Sequence, residues 1–71
     1  MERTSVSSSN IESVGYDAES RTLEVEFLGG SIYQYSNVPA DKFSGMMNAS
    51  SKGDYLNYWI KEGGYAYKQV H

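Results

Sequence analysis

The 71-residue sequence contains no cysteine, a single proline and a single histidine, which is the last residue. Without cysteine there are no disulfides and no thiolate metal ligands to support a small fold. With the lone histidine at position 71, the serines have no imidazole in a structured segment to activate them. No cluster of metal ligands is evident. The pair Gly29-Gly30 has neither a phosphate-loop lysine nor a dinucleotide-binding spacing. No apolar run is long enough to span a bilayer, and no signal-peptide pattern is present. These absences predict a non-enzymatic, cytoplasmic protein with no cofactor, no metal and no membrane attachment; the lack of cysteine fits a reducing compartment.

Basic residues are also scarce. Six Lys and Arg face nine Asp and Glu, for a net charge of −3, which argues against a strong nucleic-acid binder. The charge is uneven: residues 1–36 carry −4 and residues 37–71 carry +1. An anion is therefore expected on the C-terminal half, against the alternative of an ordinary solvated surface.

What the chain does have is aromatic area: seven Tyr, two Phe and one Trp. A chain this short buries only roughly 60% of its unfolded surface, so its core is thin. Large rings close such a core economically.

Residues 1–9 are polar and serine-rich and are expected to fray. Ile11 to Tyr16 reads as a strand, and Asp17 to Ser20 as a turn in which Asp17 accepts from backbone amides two residues on. From Arg21 to Leu28 the alternation is clean. Leu23, Val25 and Phe27 line one face; Glu24 and Glu26 line the other, expected wet, face. That alternation accounts for the two carboxylates without acid–base chemistry.

Gly29-Gly30 turns the chain into Ser31 to Val38. A two-residue loop would put Tyr33 and Tyr35 on the wet face beside the glutamates. A three-residue loop, Leu28-Gly29-Gly30, pairs Phe27 with Ser31 and Val25 with Tyr33 and puts both tyrosines on the apolar face. The second separates apolar from polar more cleanly and is preferred. Tyr33 and Tyr35 are then mainly core residues with hydroxyls at the edge.

Pro39 suits a first helical position, and Ala40, Phe43, Met46 and Met47 share a face, so a short amphipathic helix runs to about Asn48. Ser51 is a good N-cap for a second helix, with Asp54 three residues on. Its buried arc is Tyr55, Leu56, Trp59 and Ile60, with Trp59 expected against Leu23, Val25 or Phe27. Gly63-Gly64 ends it. The expected fold class is α+β: a three-stranded antiparallel β-meander with two helices packed on one face and room for a short C-terminal strand at Tyr65 to Tyr67. The expected organisation is a flexible N-terminus over 1–9, one domain over 10–68 and a tail over 69–71.

The chemistry left over is aromatic surface beside lysine. Tyr58 with Lys61, and Tyr65 and Tyr67 with Lys68, set π faces beside cations that stack on bases and neutralise phosphates. Lys52 stands at the start of the second helix, where backbone amides add positive potential. The plainer reading is that the rings cover a thin core, the lysines keep the protein soluble, and Ser51 caps its own helix.

The sequence resembles the KTSC domain from about Ser9 to Tyr67. The resemblance is carried by Val14-Gly15-Tyr16-Asp17, the Leu23-x-Val25-x-Phe27 strand, Tyr33-x-Tyr35, Val38-Pro39, and Ala49-Ser50-Ser51-x-Gly53 followed by Asn57 and Ile60. KTSC domains occur alone in bacterial and phage proteins and at the C-terminus of some lysyl-tRNA synthetases. The resemblance implies an α+β module without enzymatic activity, and a suggestion of RNA binding. The resulting expectation is weak, non-catalytic, tRNA-like RNA binding through Lys52, Tyr58, Lys61, Tyr65, Tyr67 and Lys68, with Tyr33 and Tyr35 joining only if they face outward. The alternative is a small-ligand or protein-interaction module, a homodimer formed through Tyr58, Tyr65 and Tyr67.

Overall fold

A computed structural model describes all residues 1–71. Five strands, not three, form one antiparallel sheet in sequence order: β1 (Thr4–Ser5), β2 (Ile11–Asp17), β3 (Thr22–Phe27), β4 (Ile32–Tyr35) and β5 (Tyr67–Gln69). Helix α1 (Ala40–Asn48) and helix α2 (Lys52–Tyr55), which continues through a wider helical segment at Leu56–Lys61, pack on one face. No helix is long and apolar enough to cross a membrane.

The hairpin β3–β4 takes the three-residue loop. Val25 lies opposite Tyr33 and Leu23 opposite Tyr35, and the Phe27 amide donates to the Ser31 carbonyl at 2.8 Å. Gly29 and Gly30 have φ of 105° and 101°, backbone that a side chain strongly disfavours. A Cβ built on Gly30 meets nothing within 4 Å, so any cost there is backbone strain alone. Gly30→Ala is therefore expected to cost about 1–3 kcal/mol in urea unfolding. A synthetic chain with D-alanine at that position should unfold like the parent. Equal losses for the two would mean the turn geometry is not the cause.

The alternation in β3 places Leu23 and Val25 at 0% exposure. In β2 a register shift between Ile11 and Ser13 lets Ile11 and Val14, three residues apart, both face the helices; a regular strand would set them on opposite faces. Tyr35, Val38, Met46, Leu56 and Ile60 complete the buried cluster. The Tyr16 hydroxyl donates to the Val38 carbonyl at 2.5 Å, and its ring stacks on Phe43 at 5.0 Å, tying the chain entering α1 to β2. Pro39 sits just before the helix, as its N-cap, and Ala40 stays at the surface.

Four expectations are corrected. The N-terminal nine residues contribute β1, in which Thr4 lies opposite Val14. The last three residues join the sheet: the Val70 amide donates to the Ile32 carbonyl at 2.8 Å, and the Ile32 amide to the His71 carbonyl at 3.2 Å. Glu24 does not face water. It is 6% exposed, because Arg3 of the N-terminal segment folds over it. Finally, Trp59 is 45% exposed and is no part of the core that holds Leu23 and Val25. Over Leu56–Lys61 the helix is π-type, each residue advancing less around the axis than in an α-helix. Three steps from Leu56 then fall well short of a full turn, and Trp59 swings out of the arc that buries Leu56 and Ile60. It packs on Tyr55 and Tyr58 instead.

Candidate functional site

The hairpin register sets the site. Phe27, Tyr33, Tyr35 and Tyr67 come from three neighbouring strands and point to the helix-bearing face. The helices cover the middle of that face and leave its β4–β5 edge partly open. The result is a cleft of about 450 Å³ lined by Phe27, Ser31, Tyr33, Tyr35, Lys61 and Tyr67.

Its walls are mutually supporting rings. Phe27 meets Tyr33 edge-to-face at 5.7 Å. Tyr67 lies 6.2 Å from Tyr33 and 5.8 Å from Tyr35 between ring centroids. The Tyr33 hydroxyl donates to Gln69 Oε1 at 3.2 Å, which fixes the ring's tilt. Lys61, the last residue of the wide segment, reaches over the Phe27 ring with its ammonium 5.3 Å from the centroid. No carboxylate pairs with that ammonium, and no acidic residue lines the cleft. Tyr35 forms the floor at 3% exposure. Burial, reinforced by the neighbouring Tyr33 and Tyr67 hydroxyls, pushes its pKa up to about 12.

Of the eight residues singled out from sequence, the cleft unites four: Tyr33, Tyr35, Tyr67 and Lys61. The condition set for the tyrosine pair is reversed. They line the site because they face the helices, at the edge those helices leave bare. The other four lie elsewhere. Lys68 is opposite Gln34 and so on the other face of the sheet from Tyr67. Lys52 donates to the Ala49 carbonyl at 2.9 Å and borders a polar hollow with Ser7, Ser8, Ser9, Ser50 and Ser51. Tyr58 is exposed and meets Trp59 edge-to-face at 4.9 Å, so it forms no pair with Lys61. Tyr65 is half-buried against the core.

Sequence reasoning missed Phe27 and Ser31 as site residues. The three-residue loop already placed them opposite each other, with Phe27 on the face of Tyr33, and that was the available signal. It also missed Lys42, whose ammonium lies 4.4 Å from the Trp59 ring centroid. That contact depends on Trp59 turning outward. No group of three or more His, Cys, Asp or Glu side chains converges to hold a metal.

Comparison with known proteins places this arrangement. The chain is 37% identical over 70 residues to an uncharacterized protein of Stutzerimonas stutzeri, covering 99% of both. It is 37% identical over 60 residues to the lysine–tRNA ligase of Nostoc punctiforme; the match takes in 84% of this chain and 10% of the ligase. The crystal structure of a KTSC domain protein from Yersinia pestis superposes with a TM-score of 0.90 at 39% identity, covering 99% of this chain and 97% of that one. The family model described as KTSC domain matches residues 7–67, and the chain belongs to that family.

Proposed function

We propose that this domain is a non-catalytic module that binds single-stranded RNA weakly, taking an unpaired base into the aromatic cleft while Lys61 meets the adjoining phosphate. The observation that carries the reading is the cleft itself: four aromatic rings and an ammonium with no carboxylate partner. Stacking on such rings is worth about 1–3 kcal/mol per base and tolerates any sequence. Ligand clefts are typically roughly 300–1,000 Å³, and at about 450 Å³ this one is of a size for a single nucleotide. The similar segments in lysine–tRNA ligases, enzymes that handle an RNA, support the same class of ligand. The overall charge of −3 limits the affinity. The dimer alternative is less well supported, because Tyr67 lines the cleft, Tyr58 stands by Trp59 and Tyr65 packs on the core.

Chemical-shift titration with a short single-stranded RNA at low salt tests this. Shifts are expected at Phe27, Tyr33, Tyr67 and Lys61. Tyr67→Ala should weaken binding at least fivefold, the lower end of a stacking contribution. Lys61→Glu should abolish it. Lys68→Glu, the same charge change on the opposite face, should have little effect. With one phosphate contact per cleft, log affinity should fall with log salt at a slope near about −0.7. The absence of any shift in the cleft would end the proposal.

A further inference from the structure

Resting on the cleft reading above, we infer that Tyr35 reads the edge of the bound base: its hydroxyl hydrogen-bonds a polar atom of the heterocycle, so the cleft prefers a nucleobase to a plain aromatic ring. Tyr35 is 3% exposed, yet its hydroxyl makes none of the side-chain hydrogen bonds that engage the Tyr16 and Tyr33 hydroxyls. No polar side-chain atom in the chain is both sealed from the surface and without a partner. The Tyr35 hydroxyl therefore keeps a sliver of exposure, and the opening beside it is the cleft it lines. A ligand that closes this opening without bonding the hydroxyl leaves it buried and unpaired, at a cost in free energy that a ligand bonding to it avoids. With its pKa pushed up to about 12, the hydroxyl is protonated at neutral pH and donates. Donation to a carbonyl or ring-nitrogen acceptor is the interaction that every nucleobase can accept and a phenyl ring cannot.

The geometry divides the work among three places. Tyr33 and Tyr67 offer ring area, Lys61 offers charge at the rim, and Tyr35 offers one hydrogen bond at the floor. Only the floor contact distinguishes a base from a phenyl group of similar size, because stacking and charge serve both. Sites that hydrogen-bond a ligand group discriminate well against an analogue lacking it, since the site's own polar atom is then left unpaired.

The experiment compares uridine monophosphate with phenyl phosphate, each titrated into wild-type protein, Tyr35→Phe and Tyr58→Phe and followed by chemical shift. The wild type should prefer uridine monophosphate by roughly three- to tenfold, the worth of one neutral hydrogen bond. Tyr35→Phe should bring the two affinities together, mainly by weakening the nucleotide. Tyr58→Phe, which loses a hydroxyl on an exposed ring outside the cleft, should keep the preference. A purely structural role for Tyr35 would weaken both ligands equally. A wild type without preference, or a preference that survives Tyr35→Phe, overturns the inference while leaving RNA stacking in place. If neither these ligands nor single-stranded RNA perturbs the cleft, both readings fall together.

Discussion

Replacing Leu56 with alanine is expected to leave much of the population unfolded at room temperature. Leu56 has no exposed surface and sits at the junction where α2 widens. The core it belongs to has only nine buried hydrophobic side chains. Removing a buried leucine to alanine costs about 2–5 kcal/mol, a lost transfer term plus the cavity left behind. A single core in a domain under about 80 residues rarely supplies more than about 3–5 kcal/mol in total. One substitution can therefore use the entire margin. Trp59→Ala is the informative contrast. It removes a larger side chain, but one that is 45% exposed and meets Tyr55, Tyr58 and the Lys42 ammonium. Its cost should stay below that of Leu56→Ala, at about 1–2 kcal/mol for two ring contacts and one exposed cation–π contact. Urea unfolding followed by far-ultraviolet circular dichroism measures both. A Leu56→Ala protein with the parent's midpoint would show that the helices are not held by this core. A Trp59→Ala loss as large as that of Leu56→Ala would mean the tryptophan is in the core after all.

The tryptophan shows where sequence reading stops. Helical spacing at 3.6 residues per turn groups Tyr55, Leu56, Trp59 and Ile60 on one arc, and the grouping is right for Leu56 and Ile60. The i→i+5 pattern that rotates Trp59 outward leaves no mark in composition or periodicity. The central hairpin was legible because two independent signals agree on it. Alternation sets which residues of β3 are apolar, and the Gly29-Gly30 pair selects the loop length that keeps Tyr33 opposite Val25. The C-terminal strand was partly legible, as an extended Tyr65 to Tyr67, and it forms two residues later at Tyr67–Gln69.

The site was legible as a set of residues and illegible as a place. Tyr33, Tyr35, Tyr67 and Lys61 were all named from sequence, yet nothing local says that they meet. Tyr67 reaches Tyr35 by pairing across some thirty intervening residues, both helices among them. Pairing Lys61 with Tyr58 assumed that near neighbours on a helix share a partner. Lys61 in fact turns to Phe27, which sequence reading assigned wholly to the core.

Arg3→Ala is expected to destabilise the domain by about 1–3 kcal/mol, although the residue lies in the stretch that composition marks as dispensable and outside residues 7–67 of the family match. The Arg3 guanidinium donates to Glu24 and, through Nε, to Ser13 Oγ at 2.9 Å. Ser13 passes a hydrogen bond on to Glu26 at 2.8 Å, and Gln34 donates to the other Glu24 oxygen at 2.8 Å. Gly15 makes the crossing possible: a Cβ there would collide with the Glu2 carbonyl oxygen and stand 3.0 Å from Arg3 Cγ. Burial alone would raise the Glu24 pKa, but hydrogen bonds from Gln34 and Arg3, with the charge of Arg3, leave it below its ordinary 4.5. A lowered carboxylate lends stability that is fully present above its unfolded value and is lost as pH falls through the folded one. The wild type should therefore lose stability on acidification below about pH 4.5. Arg3→Ala should start lower at neutral pH and lose less, so that the two curves approach each other in acid. Adding Glu24→Gln to Arg3→Ala should recover part of the loss at neutral pH, because a neutral amide tolerates burial without the guanidinium better than a carboxylate does. Urea midpoints measured across that pH range decide the matter. If Arg3→Ala matches the wild type at neutral pH, β1 only decorates the sheet and the expectation of a frayed N-terminus regains its force.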